Sequence, residues 1–145
     1  MITDNIRYIE WQSADEIHKT SKEWLSELLF IKDEHLFFLD LIKMFTIQLI
    51  EPDKFSSNRE LIKVITNSQK QTLLLIEAIK IHENDLKILV DDVDQISEEK
   101  AYVKEHMGLM AEINDYLTDY KELKTHFFNI IKSIKKSQKR IIDKP

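Results

Sequence analysis

The sequence predicts an all-α fold: an elongated antiparallel up-down-up bundle of three long helices with coiled-coil-like packing. Three observations carry that expectation. The 145 residues include one Gly and two Pro, which leaves little for the tight hairpins of a sheet or the glycine loops that cradle phosphates. Apolar residues make up 43% of the chain and recur at alternating steps of three and four, the period of a helix face. Only two short polar breaks interrupt these runs, and short connections force neighbouring helices to run antiparallel.

The elements follow in order. Residues 1–12 read as an N-terminal arm. Ser13-Ala-Asp-Glu16 has the form of a capping box, in which the Ser hydroxyl accepts from a free backbone N–H and the Glu reaches back. It opens a helix over 13–51, ended by Pro52, whose ring disfavours helix at the residue before it. Ser57-Asn-Arg-Glu60 is a second capping box and opens a helix over 57–93. After the polar break Asp91-Asp-Val-Asp-Gln95, Ser97 with Glu98 and Glu99 offers an N-cap with acids in the first turn, opening 97–142. Residues 1–145 thus form a single domain. A four-helix bundle is the alternative, with a break at Asn67-Ser68 or Asn84-Asp85, and Gly108 as a place where the last helix could bend.

The expected buried seam of the first helix is Ile17, Ser21, Trp24, Leu28, Ile31, His35, Phe38, Ile42, Phe45 and Leu49. In the second it is Leu61, Ile65, Ser68, Thr72, Leu75, Ile79, His82, Leu86, Leu89 and Val93. In the third it is Val103, His106, Met110, Ile113, Leu117, Tyr120, Lys124, Phe127, Ile131, Ile134, Gln138 and Ile141. Such sustained heptads are the pattern of left-handed helix packing.

The first helix carries more apolar surface than one seam needs. From Phe37 to Ile50 only Asp40, Lys43, Thr46 and Gln48 are polar, and they are spread around the helix. A helix that is apolar all round is normally covered on several sides. The arm, with Ile6, Tyr8, Ile9 and Trp11, enters at the far end of that helix, so a second copy of the chain is the expected cover. Phe37, Leu41, Met44, Ile47 and Ile50 are the expected interface, and a twofold dimer the expected assembly.

Three histidines, His35, His82 and His106, fall on the seam, one per helix. Counting residues from the two turns sets His82 and His106 nearly level, opposite position 24 of the first helix. Glu23 and Glu27 bracket that height, so Glu23, Glu27, His82, Glu83 and His106 form a conceivable metal cluster of the kind helix bundles build. The spacing argues against it. Ferritin-like sites use Glu-x-x-His, and hemerythrin-like bundles use His-x-x-x-Glu and His-x-x-x-His; none occurs here. Histidines bonded within the core are the expectation, with no metal or cofactor. Tyr102, Tyr116 and Tyr120 are read in the same way, as core aromatics rather than a pocket lining.

Other chemistries find little support. Cys is absent, which removes disulfides, thiolate zinc sites and thiol nucleophiles, and no Gly-x-Ser-x-Gly elbow occurs. No basic-then-apolar leader is visible at Met1–Ile6, and the densest apolar run is short and interrupted by charge; a soluble, cytoplasmic protein is expected. The net charge of −5 disfavours nucleic acid as a partner. The charge is polarised: residues 129–145 carry six cations and one acid. Lys132, Lys135, Lys136, Lys139 and Arg140 form a basic surface between isoleucines, a profile compatible with peripheral membrane contact, although cations at a helix C-terminus also complement its dipole. The expected function is therefore a non-enzymatic bundle acting through self-association and protein–protein contacts. The alternative is a bundle that holds a metal or small ligand with core histidines and carboxylates.

Overall fold

The computed structural model describes residues 14–48, 52–91 and 96–142, with side chains over 15–45, 59–89 and 99–136. All the described residues are helical. Helices α1 (Ala14–Gln48), α2 (Pro52–Asp91) and α3 (Ile96–Ile142) contain 35, 40 and 47 residues; at 1.5 Å per residue they are rods of about 50–70 Å. The protein is an all-α three-helix bundle. Neither α2 nor α3 is broken, so the four-helix alternative does not hold, and α3 is continuous through Gly108.

Boundaries agree with expectation to within three residues except at the start of α2. That helix begins at Pro52, not at Ser57, and the second capping box lies inside it. A proline at a helix start loses nothing by lacking an N–H, and its fixed φ already suits the first turn.

The topology is up-down-up. His18 pairs with Glu83 and His35 with Ser68, so α1 and α2 run antiparallel. His82 meets His106 while Thr72 meets Tyr116, so α2 and α3 do the same. Trp24 with His106, His35 with Tyr120 and Phe38 with Phe127 climb together, so α1 and α3 are parallel. The α1 and α2 backbones approach most closely, whereas α1 and α3 meet mainly through long aromatic side chains.

The core follows the seam closely on α1, where all nine expected positions with described side chains are buried. On α2, Ile76 is buried where Leu75 was expected. On α3, Leu109 and Tyr116 replace Met110 and Leu117, and Met110 is 37% exposed. The cause is phase. Ser68-Thr72-Ile76 takes two steps of four and Ile76-Ile79-His82 two of three, whereas Val103-His106-Leu109 takes two of three before Tyr116-Tyr120-Lys124 takes two of four. A helix turns every 3.6 residues, so the buried line can step one residue aside and return, and beyond each detour the seam regains its expected positions. Leu49, Val93, Gln138 and Ile141 lie outside the described side chains.

The apolar core has two parts. A long cluster runs from Trp24 to Ile134, with Leu28, Phe38, Ile65, Ile79, Ile113 and Phe127 inaccessible or nearly so. A small one, Ile17, Leu86 and Tyr102, closes the end beside the α2–α3 connection. Ser21, His82 and His106 lie between them in all three helices.

Candidate functional site

Two buried polar layers cross the bundle, and an open groove flanks one of them. The first layer is centred on the two histidines. His82 Nε2 lies 2.8 Å from His106 Nδ1, with ring centroids 5.0 Å apart and planes 18° apart, so the imidazoles meet edge to edge through one shared proton. Tyr102 stacks on His82 at 4.3 Å and Trp24 on His106 at 4.8 Å. The level derived from residue counting is thus the observed one, with Trp24 completing it from α1.

The tautomer follows from the surroundings. His82 Nδ1 is buried and has no partner among the described residues. If His82 accepted the bond at Nε2, its own proton would sit on Nδ1 as an orphaned donor. A bare lone pair is the cheaper orphan, so His82 Nε2–H donates to His106 Nδ1. Burial holds His82 below its ordinary value against the opposing pull of Glu105, Glu83 and Asp85. His106 is pushed down to about 4, chiefly by burial and then by His82. Burial also raises the Tyr102 hydroxyl, helped by Glu83, Glu105 and Asp85. Both imidazoles are neutral at pH 7.

Of the five candidate ligands, His82 and His106 come together, but the carboxylates do not join them. Glu23 and Glu27 are exposed, and Glu83 Oε2 accepts from His18 Nδ1. Among the described residues, no three His, Cys, Asp or Glu are grouped so as to hold a metal ion. His18 was not among the expected ligands, because the expected register set Glu83 opposite Glu23, about five residues further along α1 than the His18 it meets.

The second layer lies nearer the middle. His35 Nε2 is 2.8 Å from Ser68 Oγ, which is 2.9 Å from the Tyr116 hydroxyl. Tyr116 also meets Thr72 Oγ1, and Thr72 donates to the Ser68 carbonyl at 2.9 Å. His35 Nδ1 has no described partner, so by the same reasoning Nε2 carries the proton. One assignment then uses every donor once: His35 to Ser68, Ser68 to Tyr116, Tyr116 to Thr72, Thr72 to the carbonyl. Burial lowers His35 despite Glu34 beside it, and burial raises Tyr116 more than its Ser68 and Thr72 bonds lower it. A buried network whose donors are all used in this way favours one helix register.

Tyr120 links this layer to the surface. Its hydroxyl donates to Glu34 Oε1 at 2.9 Å, and Lys124 Nζ donates to Glu34 Oε2 at 2.9 Å. Outside that pair, α1 and α3 leave a groove of about 790 Å³. Its α1 wall is Glu27, Phe30 and Glu34; its α3 wall includes Leu117, Lys121 and Phe128; Ile31 and Tyr120 line it between them. On the other side of α3 a smaller groove of about 280 Å³ is lined by Asn67, Gln71, Tyr116 and Asp119, among others.

Apolar side chains continue out of the large groove. Phe30, Phe37 and Met44, each seven residues apart on α1, are 62%, 56% and 48% exposed, and Phe128 across from them is 39% exposed. Of the expected interface, Phe37 and Met44 are exposed and Leu41 is half-buried, while the side chains of Ile47 and Ile50 lie outside the described residues. Phe30 was missed because it precedes the dense run that begins at Leu36. A further heptad stripe, Leu74, Ile81 and Ile88, lines the outer face of α2. Lys132, Lys135 and Lys136 of the basic surface are exposed; the side chains of Lys139 and Arg140 are outside the described set. No described helix is long and apolar enough to cross a membrane. The chain matches no known family, curated protein or solved structure.

Proposed function

We propose that this protein is a non-enzymatic helical bundle that works by self-association, as a homodimer, and through protein–protein contacts. The observation that carries this reading is the stripe Phe30, Phe37 and Met44, exposed on α1 along the edge of the α1/α3 groove. Large apolar side chains exposed in a row along one helix face are costly to leave in water and are frequent at interfaces. The polar layers support the same reading from the other side. His82 bonds His106, and His35, Ser68, Thr72 and Tyr116 bond one another, contacts that favour one register of the three helices.

Light scattering coupled to size exclusion tests the proposal. The native chain is expected to run as a dimer at micromolar concentration, and Phe37→Glu as a monomer with an unchanged helical circular dichroism spectrum. A native chain that stays monomeric up to about 100 μM, which corresponds to a binding free energy weaker than about −5.5 kcal/mol, overturns it.

A further inference from the structure

The two walls of the large groove differ in charge. On the α1 side stand Glu27 and Glu34, and on the α3 side Lys121 and Lys124. Lys124 is already bound to Glu34, whereas exposed Lys121 makes no ion pair among the described residues. The helices that form the walls are parallel and level with each other: Glu34 meets Tyr120 and Lys124, and Phe38 meets Phe128 at 5.6 Å.

A twofold axis can close this groove against itself in two ways. An axis across the helices inverts heights and lays α1 on the partner's α1 and α3 on its α3, so the acidic wall meets the acidic wall and the basic wall the basic one. An axis along the groove lays α1 on the partner's α3 with both copies pointing the same way and at matched heights. Walls of like sign repel across an interface and disfavour that first docking.

We infer that the occupant of the α1/α3 groove is a second copy of this chain in a parallel twofold, with Glu34 facing the partner's Lys121 and Phe37 packed on the partner's Phe128. The inference rests on the self-association reading and adds its geometry. It accounts for a groove that is acidic along one wall and basic along the other, which is the pattern a parallel twofold needs to be complementary to itself. It also covers Phe37 and Phe128 together, using one contact made twice.

The absence of Cys from the sequence makes the test clean. Full-length Phe37→Cys and Phe128→Cys chains, separately tagged, are mixed and oxidised with diamide. The parallel twofold predicts a disulfide between the two different chains in excess of either self-linked product. Lys121→Glu provides a second readout at low salt. In the parallel dimer it sets a carboxylate against the partner's Glu34 and weakens association about tenfold, whereas in the antiparallel one it faces lysines and strengthens association. A native dimer with no mixed disulfide, or one tightened by Lys121→Glu, overturns this geometry and leaves self-association standing. A native monomer removes both.

Discussion

The hydrogen bond between His82 Nε2 and His106 Nδ1, 2.8 Å long, treats its two partners unequally. His82 can accept a further proton at Nδ1 and go on donating. His106 Nδ1 is the atom that receives the bond, so a proton there sets two N–H groups against each other. This asymmetry matches the deep lowering of His106, to about 4, by burial and by His82.

Acid should therefore unfold the bundle. An unfolded histidine titrates near 6.5, and His106 in the fold near 4, so between those values the unfolded chain binds the extra proton and stability falls as pH falls. From pH 7.5 to 5 His106 alone accounts for a loss of about 2 kcal/mol. His35 and His82, also lowered, add to it with the same sign. Urea unfolding followed by circular dichroism, at one protein concentration, measures the difference. In His106→Gln, which cannot titrate, it should shrink by about 2 kcal/mol. Equal stability of the native chain at both pH values would contradict the buried neutral pair.

The second layer makes a separate prediction. Tyr116 is the only member of its chain that both accepts from Ser68 and supplies Thr72. Tyr116→Phe keeps the ring but leaves the Ser68 hydroxyl without an acceptor and Thr72 without a donor in a buried site. The expected cost is about 1–3 kcal/mol. Tyr116→Phe combined with Ser68→Ala should cost less than the sum of the two single changes, because the first loss already idles the second group. Strict additivity in the denaturation midpoints would show that the four groups do not act as one network.

Much of the fold was legible in the residues themselves. The α1 seam from Ile17 to Phe45 is buried position for position because its steps of three and four never falter. The level of His82 and His106 followed from two turn positions and a constant rise per residue. What misled was local phase: Leu75, Met110 and Leu117 each sit one residue from the buried position, where paired steps of four or of three displace the seam and then restore it. The polar contacts were less legible still. His18 to Glu83 and Tyr120 to Glu34 join residues at the edge of the seam, and their meeting depends on helix rotation, which a count of heptads leaves undetermined. The groove was invisible for a related reason. It lies between α1 and α3, which meet mainly through long side chains such as Trp24 on His106 and His35 on Tyr120, a matter of side-chain volume in three dimensions.

Gly108 supplies a last prediction, about the helix that carries most of these groups. It lies inside α3, is exposed, and a Cβ built there meets nothing within 4 Å. Its backbone is helical, so an alanine can adopt it without strain. Glycine in such a position costs stability mainly because the unfolded chain is freer. Gly108→Ala should therefore stabilise the protein by about 0.5–1 kcal/mol, raising Tm by a few degrees. The same change is diagnostic of α3 itself. His106 and Leu109, on either side of Gly108, are both buried, so a bend there would swing one of them off its neighbours. An unbroken helix predicts that alanine raises Tm and leaves the pH dependence of stability as it was. A lowered Tm would mean that the glycine serves a bend, and that the His82–His106 layer depends on it.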